Sequence, residues 1–417
     1  MSKLAINGGP KVRNKPFPKH PIIDETEKKH ILEVLESGNI STFIASPGEN
    51  FLGGKKIREF EEKFANMIGV KYGIAFNSAS SALHAAVVAV GVNPGEEVIV
   101  PPLTFTSTAT SSLMHNAIPV FSDVKFDTYC LDPTKLESVT NELTRAIIPV
   151  HLFGNSCDMD EIMNYAKKNN IKVIEDCAQS LGTEYKGKKL GSIGDCGVFS
   201  FQESKTLMTG EGGMLVTNDE EIANIARMVR NHGEMIIPTL EKRTYKSEFL
   251  GWGYRMTELE AALGLAQLEK IEYLISERVK LGNHLSDEIN KIDGLSHTKY
   301  EHVKQAYWMF GFNFDEDVIG IKRNKFTDAL RAEGIPCFDG YVKPLYLNPL
   351  YLEKRAFAFK HYKGDTKYEK GICPIAEKLH EKYLVNTLIS RPPATIEDMN
   401  DIVMAISKII ENKVELM

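Results

Sequence analysis

From about Tyr72 to Asn218, short apolar runs alternate with stretches whose apolar positions recur every three or four residues. The runs YGIAF, EEVIVPP, AIPVFSDV, RAIIPVHLFG, IKVIED, CGVFSF and GGMLVT each read as a buried strand. Between them SSALHAAVVAVG, TSTATSSLMHN and DMDEIMNYAKKNN have helical periodicity. Strands that are apolar throughout, and not alternating, are those covered on both faces. The pattern therefore predicts a mainly parallel, seven-stranded sheet between layers of helices.

The regime changes near Arg255. Residues 256–289 predict one long helix, opened by the capping-box pair Thr257 and Glu260. After it come a strand-like AYWMFGFNF, a helix over about 324–333, an irregular Pro- and Tyr-rich stretch (GYVKPLYLNPLYLEKR) and a last helix near 396–411. The fold class expected is α/β, a large sheet domain with a smaller C-terminal α/β domain. The expected boundaries are an extended N-terminal arm over 1–20, a large domain over 21–280 ending in the long linking helix, and a small domain over 281–417.

Composition narrows the function classes. A chain of 417 residues, 43% apolar and 25% charged, is long enough for two domains with large cores. A formal net charge of −6 gives no reason to expect nucleic acid or an anionic membrane as partner. The first twenty residues lack the apolar region of a signal peptide, and no apolar run reaches the roughly 18 residues of a membrane span, so a cytoplasmic location is expected. The six cysteines form no CxxC pair and several sit in apolar runs, which predicts reduced core thiols and no metal site.

Four features fall where predicted strands end, the edge at which open α/β sheets bind ligands. Asn77-Ser78-Ala79-Ser80-Ser81 opens a helix with small residues, leaving backbone N–H groups that suit a phosphate, or making an ordinary serine cap. Asp176 ends the run VIED; a carboxylate there needs a partner, either a protonated ring nitrogen or a cap or ion pair. Lys205 follows the strand CGVFSF; shielded, it loses its proton easily and becomes a nucleophile, whereas most lysines are solvated surface charges. Ser200 can donate to a phosphate. Phe105, in PPLTFT, can stack on a flat ring or simply fill core.

Their order along the chain resembles that of fold-type-I pyridoxal-phosphate (PLP) enzymes. More narrowly, the sequence resembles the DegT/DnrJ/StrS family of sugar aminotransferases, in GEEVIVPPLTF, PVFSDVKFDTYCLDP, IIPVHLFGNSCDMDEI, VIEDCAQSLGTEYKGKKLGSIGDCGVFSF, SKTLMTGEGGMLVTND and YRMTELEAALGLAQL. The resemblance runs from about residue 4 to the C-terminus. It implies Lys205 as the lysine that holds PLP as a Schiff base, and Asp176 as partner of the pyridine nitrogen. It further implies Gln179 against the cofactor ring and its phenolic oxygen, Phe105 stacked on the ring, and Ala79, Ser80 and Ser200 on the phosphate. A homodimer with sites near the interface is implied as well. Two positions depart from the family pattern: Ala79-Ser80 stands where Gly-Thr is common, and Gly253 where an asparagine reaches the partner subunit's phosphate.

The activity implied is transfer of an amino group from glutamate or glutamine to a ketone, with Lys205 moving a proton at the donor's α-carbon. INGGPKVR, SFQ-x-x-K, PLYLNPLY and CPIAEKL resemble the branch acting on inososes and related keto-cyclitols; the alternative is the branch aminating nucleotide-linked keto-sugars. Dehydratases of the family carry histidine at the position of Lys205, and a non-catalytic regulator predicts loss of Lys205 or Asp176; both are present. A nicotinamide enzyme is opposed by the lack of a GxGxxG after any strand. His151 and His232 are expected to be structural, and Arg255 to contact phosphate or substrate or to pair with a carboxylate.

Overall fold

The computed structural model describes residues 3–43, 50–234 and 246–417. Seven strands build the main sheet: β1 (Tyr72–Phe76), β2 (Glu97–Val100), β3 (Ile118–Phe121), β4 (Thr144–Ile147), β5 (Lys172–Asp176), β6 (Cys196–Ser200) and β7 (Gly213–Thr217). Their spatial order is β1-β7-β6-β5-β4-β2-β3. All pairings are parallel except those of β7, which runs antiparallel to β1 and β6. The mainly parallel sheet of the sequence reading is therefore what forms, from the seven runs expected. β2, β3 and β7 are buried along their whole length, as strands covered on both faces must be.

Two helices precede β1 that the strand–helix alternation did not signal: α1 (Glu25–Ser37) and α2 (Lys55–Ile68). α1 starts in a complete capping box of Asp24 and Glu27, and α2 buries Ile57, Phe60 and Phe64. The helices between strands are α3 (Ala79–Ala89), α4 (Ser107–Met114), α5 (Met159–Asn169) and α6 (Glu220–Arg230).

The helix expected over 256–289 is two, α7 (Glu258–Glu269) and α8 (Ile271–Ile289). They break at Lys270 (φ −111°, ψ 9°), whose ammonium reaches Asp24 (2.7 Å) and Glu27 (2.8 Å) at the start of α1. Pairing between helices thus competes with helical continuity, which periodicity alone does not reveal. The capping box of Thr257 and Glu260 is formed.

A four-stranded sheet follows, ordered β8 (Leu295–Ser296), β9 (Phe310–Phe314), β11 (Leu384–Thr387), β10 (Phe338–Asp339). With α9 (Arg323–Ala332), α10 (Ile396–Glu411) and the inner face of α8 it encloses a second core, which also takes in Leu4. The Pro- and Tyr-rich stretch lies on the large sheet, where Tyr346, Tyr351 and Tyr368 ring Phe121 at centroid distances of 5.3 to 5.7 Å. All six cysteines are buried and unpaired. Among the described residues no helix is long and apolar enough to cross a membrane.

Candidate active site

Because β1, β2, β5 and β6 run parallel, their carboxyl ends share one edge of the sheet, and the residues singled out above come together there. β7 enters at the same edge between β1 and β6, pairing Gly213 with both Phe76 and Ser200.

Ser78 caps α3 by accepting the Ser81 N–H (3.2 Å). That leaves the N–H groups of Ala79 and Ser80 without a protein acceptor among the described residues. Two free donors at the positive end of a helix dipole are what an anion site requires. The cap reading of the serine-rich start is what forms, and it leaves the donors that the phosphate reading requires at the next two positions. Ser200 ends β6 beside it, and its Oγ accepts the Gln202 N–H at 3.4 Å.

Gly213 is what lets these parts meet. A Cβ at this position would stand 2.5 Å from the Ala79 nitrogen and 2.5 Å from the Ser78 carbonyl carbon. Both are backbone atoms at the mouth of the anion site and cannot swing aside. With the PLP that the sequence resemblance implies as ligand, Gly213→Ala is therefore expected to weaken binding by about tenfold or more, a backbone shift at a site whose donors must hold sub-ångström positions. Titration of PLP into the cofactor-free variant and wild type, followed by absorbance, measures it.

Asp176, 3% exposed, is the last residue of β5. Its Oδ2 accepts the Thr108 hydroxyl (2.8 Å) and its Oδ1 the Ala178 N–H (3.1 Å). Burial raises its pKa, while the Thr108 and Ala178 bonds and the charges of Lys205 and His151 oppose the rise. Thr108 lies in the first turn of α4, so the loop carrying Phe105 is tied to Asp176 through it. Phe105 itself is 58% exposed, its ring free to meet a ligand or a second chain.

Lys205 is half-buried in the loop after β6. Its Nζ stands 3.9 Å from the centroid of the Trp308 ring. Burial lowers its pKa to about 8, with Arg278 pushing the same way and Asp176 opposing. The amine and the Asp176 carboxylate are thus close enough to act on each other's charge. Gln179 is fixed by accepting the Phe153 N–H (3.0 Å) and donating to the Tyr341 hydroxyl (3.0 Å).

The neighbour of Asp176 has a different task. Glu175 points to the opposite face and accepts the N–H groups of Gly191 (2.9 Å), Ile193 (2.7 Å) and Gly194 (2.7 Å). His151, wholly buried, accepts the Cys157 N–H at Nδ1 (3.1 Å), so Nε2 carries the proton toward Glu175 (3.2 Å). His151, Glu175 and Cys177 have the spacing of a metal cluster, but the histidine and carboxylate atoms are held in these bonds. Arg255 donates to Asn231 (3.2 Å), a neutral partner and not a carboxylate. Gly253 is exposed, and the nearest atoms a Cβ there would meet among the described residues are those of His232 and Arg255, no nearer than 3.5 Å. Glycine is not forced at this position by packing.

Thr108, Trp308 and Tyr341 were not singled out in the sequence. All three lie in stretches read only for their secondary structure; Thr108 stands three residues after Phe105, while Trp308 and Tyr341 come to the site from distant segments.

A sequence model of the DegT/DnrJ/EryC1/StrS aminotransferase family matches residues 21–407. The chain belongs to that family. GDP-perosamine synthase of Caulobacter vibrioides is 39% identical over 337 residues, which span 79% of this chain and 85% of that protein. L-glutamine:scyllo-inosose aminotransferase of Streptomyces griseus is 30% identical over 425 residues, 99% of this chain and 98% of that one. The solved aminotransferase of Psychrobacter cryohalolentis shares the fold with a TM-score of 0.85 at 31% identity, covering 95% of this chain and 99% of its own. The protein is thus an aminotransferase of the sugar-aminotransferase family, and its cofactor is PLP. The site suits that group in three respects: free helix-terminal N–H groups for a phosphate, a buried carboxylate for a ring nitrogen, and a lysine poised to lose its proton.

Proposed function

We propose that this enzyme moves an amino group from glutamate or glutamine to a keto-cyclitol of the inosose type or a keto-sugar, with Lys205 and Asp176 as its catalytic pair. The observation that carries the reading is a lysine amine of lowered pKa within electrostatic reach of a buried carboxylate, at the same sheet edge as the free N–H groups of Ala79 and Ser80. PLP, when bound, supplies an electron sink for the bond broken at the donor's α-carbon. Ala79, Ser80 and Ser200 hold its phosphate, Asp176 its ring nitrogen, Gln179 and Phe105 its ring. Lys205 would anchor it and, once free, would act as general base toward the proton on the donor's α-carbon and then as general acid in returning it. Thr108 keeps the Asp176 carboxylate aimed while this happens. The working unit is a homodimer; exposed Phe249 (42%) and Leu250 (74%) supply apolar surface for a second copy.

The inosose reading is favoured by the full-length match to the Streptomyces griseus enzyme. The nucleotide-linked keto-sugar reading has the higher identity of the Caulobacter vibrioides synthase, over a shorter span. A half-reaction screen separates them. The enzyme is converted to its amino form with donor, freed of donor, and offered ketones while the cofactor absorbance is followed. Restoration by inososes is the expected result, and restoration by nucleotide-linked keto-sugars alone selects the second reading. A protein that takes up PLP but responds to no donor would be a cofactor-binding regulator.

A further inference from the structure

The backbone on either side of Lys205 is gripped from three distant parts of the chain. Trp308, just before β9, donates its indole N–H to the Ser204 carbonyl (3.0 Å). Arg391, just after β11, donates to the same oxygen (3.3 Å). His20, in the N-terminal arm, meets the Lys205 carbonyl through Nε2 (3.3 Å). Trp308 alone also touches the amine, through the ring face 3.9 Å from Nζ.

Trp308 is itself held rigidly. It is 7% exposed, and its backbone carbonyl accepts from Arg278 of α8 (3.3 Å), which is wholly buried. An aromatic ring face attracts an ammonium and gives nothing comparable to the neutral amine. The groups around the amine pull in opposite directions. Asp176, from β5, favours the ammonium, as does the Trp308 face; burial and Arg278 oppose it. His20 and Arg391 sit on the backbone side; burial and the nearby Arg391 and Arg278 lower the pKa of His20 to about 4, which keeps it neutral.

We propose that Trp308 is the positioning residue for Lys205, holding the lysine's backbone through the indole N–H and, in the ammonium form, its side chain against the ring face, so that the lysine stays in reach between taking the proton and returning it. This rests on the aminotransferase reading. A lysine with four rotatable bonds, once displaced, otherwise samples many positions, and proton transfer needs hydrogen-bond reach. The ring contact acts once the lysine has taken the proton: it holds the resulting ammonium in place until the proton is returned, without a hydrogen bond that would have to break.

The test compares Trp308→Leu, which loses both contacts, with Trp308→Phe, which keeps the ring face. Two readouts are taken on PLP-loaded protein or during loading: the donor half-reaction with ordinary and α-deuterated glutamate, and the pH midpoint of PLP capture by Lys205. In Trp308→Leu the half-reaction is expected to slow by about tenfold with a larger isotope effect, and the capture midpoint to fall by about one pH unit, the scale of a lost cation–π contact. Trp308→Phe is expected to keep the midpoint and lose about threefold in rate, the scale of one hydrogen bond. A Leu variant that folds and loads PLP yet matches the wild type in both readouts overturns the proposal, leaving Trp308 a packing residue.

Should the Leu variant not fold, fluorinated tryptophan, which weakens the ring face without changing its shape, is expected to lower the midpoint in a Trp252→Phe background. An unchanged midpoint there overturns the proposal equally. A wild type that takes up no PLP overturns this inference and the reading beneath it together. A wild type that transaminates with unaffected variants overturns this one alone.

Discussion

Lys205→Ala is expected to abolish transamination while the protein still folds. The fold does not need the side chain: the Lys205 N–H still reaches the Gln202 carbonyl (2.8 Å) and the Lys205 carbonyl still meets His20 (3.3 Å). What is removed is a ring contact and the amine. Loss of a general base and acid costs on the order of 10²–10⁴-fold by itself, and here the covalent anchor goes with it. The variant should unfold within a few degrees of the wild type, the scale of about 1 kcal/mol or less in a chain of this size. Borohydride should fix PLP to the wild type, at the peptide containing Lys205, and not to the variant. Near-normal turnover by the variant, or borohydride labelling at another lysine, would refute the assignment. The pH dependence has a definite sign. Only the neutral amine attacks, and burial together with Arg278 brings its pKa down to about 8 against the pull of Asp176. Capture of PLP by the cofactor-free wild type should therefore speed up as pH rises toward 8 and level off above it. A lysine in ordinary solvent would keep accelerating for about two further pH units.

The sheet and most of the site could be read from the sequence because both rest on local signals. Strands buried on both faces are unbroken apolar runs, and seven such runs form β1 to β7. The carboxyl ends of parallel strands are fixed by chain direction, so Asn77, Asp176 and Ser200 had to reach one edge once the strands were placed. The alternation of side chains along β5 likewise separates Glu175, which holds the Gly191–Gly194 turn, from Asp176, which faces the site. What the sequence withheld are contacts between segments far apart in the chain. Lys270 breaks a continuous helical pattern because Asp24 and Glu27 lie across from it, some 240 residues earlier. Trp308 reads as core in AYWMFGFNF, and its role depends on the carbonyl of Ser204, in the other part of the molecule. The N-terminal arm shows only its Gly, Pro and Lys content, yet His20 ends against the lysine loop and Leu4 in the second core. α1 is equally quiet: only Glu27 and Val34 are buried in it, so it has no apolar stripe to detect.

Asp176 offers a more discriminating experiment than Lys205, because its structural and electrostatic roles can be separated. Asp176→Ala removes the carboxylate, leaves the Thr108 hydroxyl only its Thr104 partner and strands the Ala178 N–H, so its effect mixes charge with lost order. Asp176→Asn keeps an oxygen for Ala178 and a polar group beside Thr108 but cannot hold a ring nitrogen in its protonated form. If the charge is what matters, Asn should be nearly as damaging as Ala, at about 3–4 kcal/mol in the barrier, the size of a major preorganised electrostatic contribution. PLP should still bind to Asp176→Asn, since the N–H groups of Ala79 and Ser80 are untouched. The donor half-reaction followed by stopped-flow absorbance measures the barrier, and equilibrium titration measures the binding. A loss below about tenfold, roughly 1.4 kcal/mol, in both variants would remove Asp176 as partner of the ring nitrogen. A large loss in Ala with little in Asn would instead make it an ordering residue for α4 and Phe105. The carboxylate's surroundings favour the first outcome. Burial works against its charge, and no cation forms a direct ion pair with it among the described residues. The Lys205 charge acts on it only from a distance, and that amine must itself become neutral to work. A buried carboxylate left so nearly alone needs a cationic partner, and a protonated ring nitrogen supplies one.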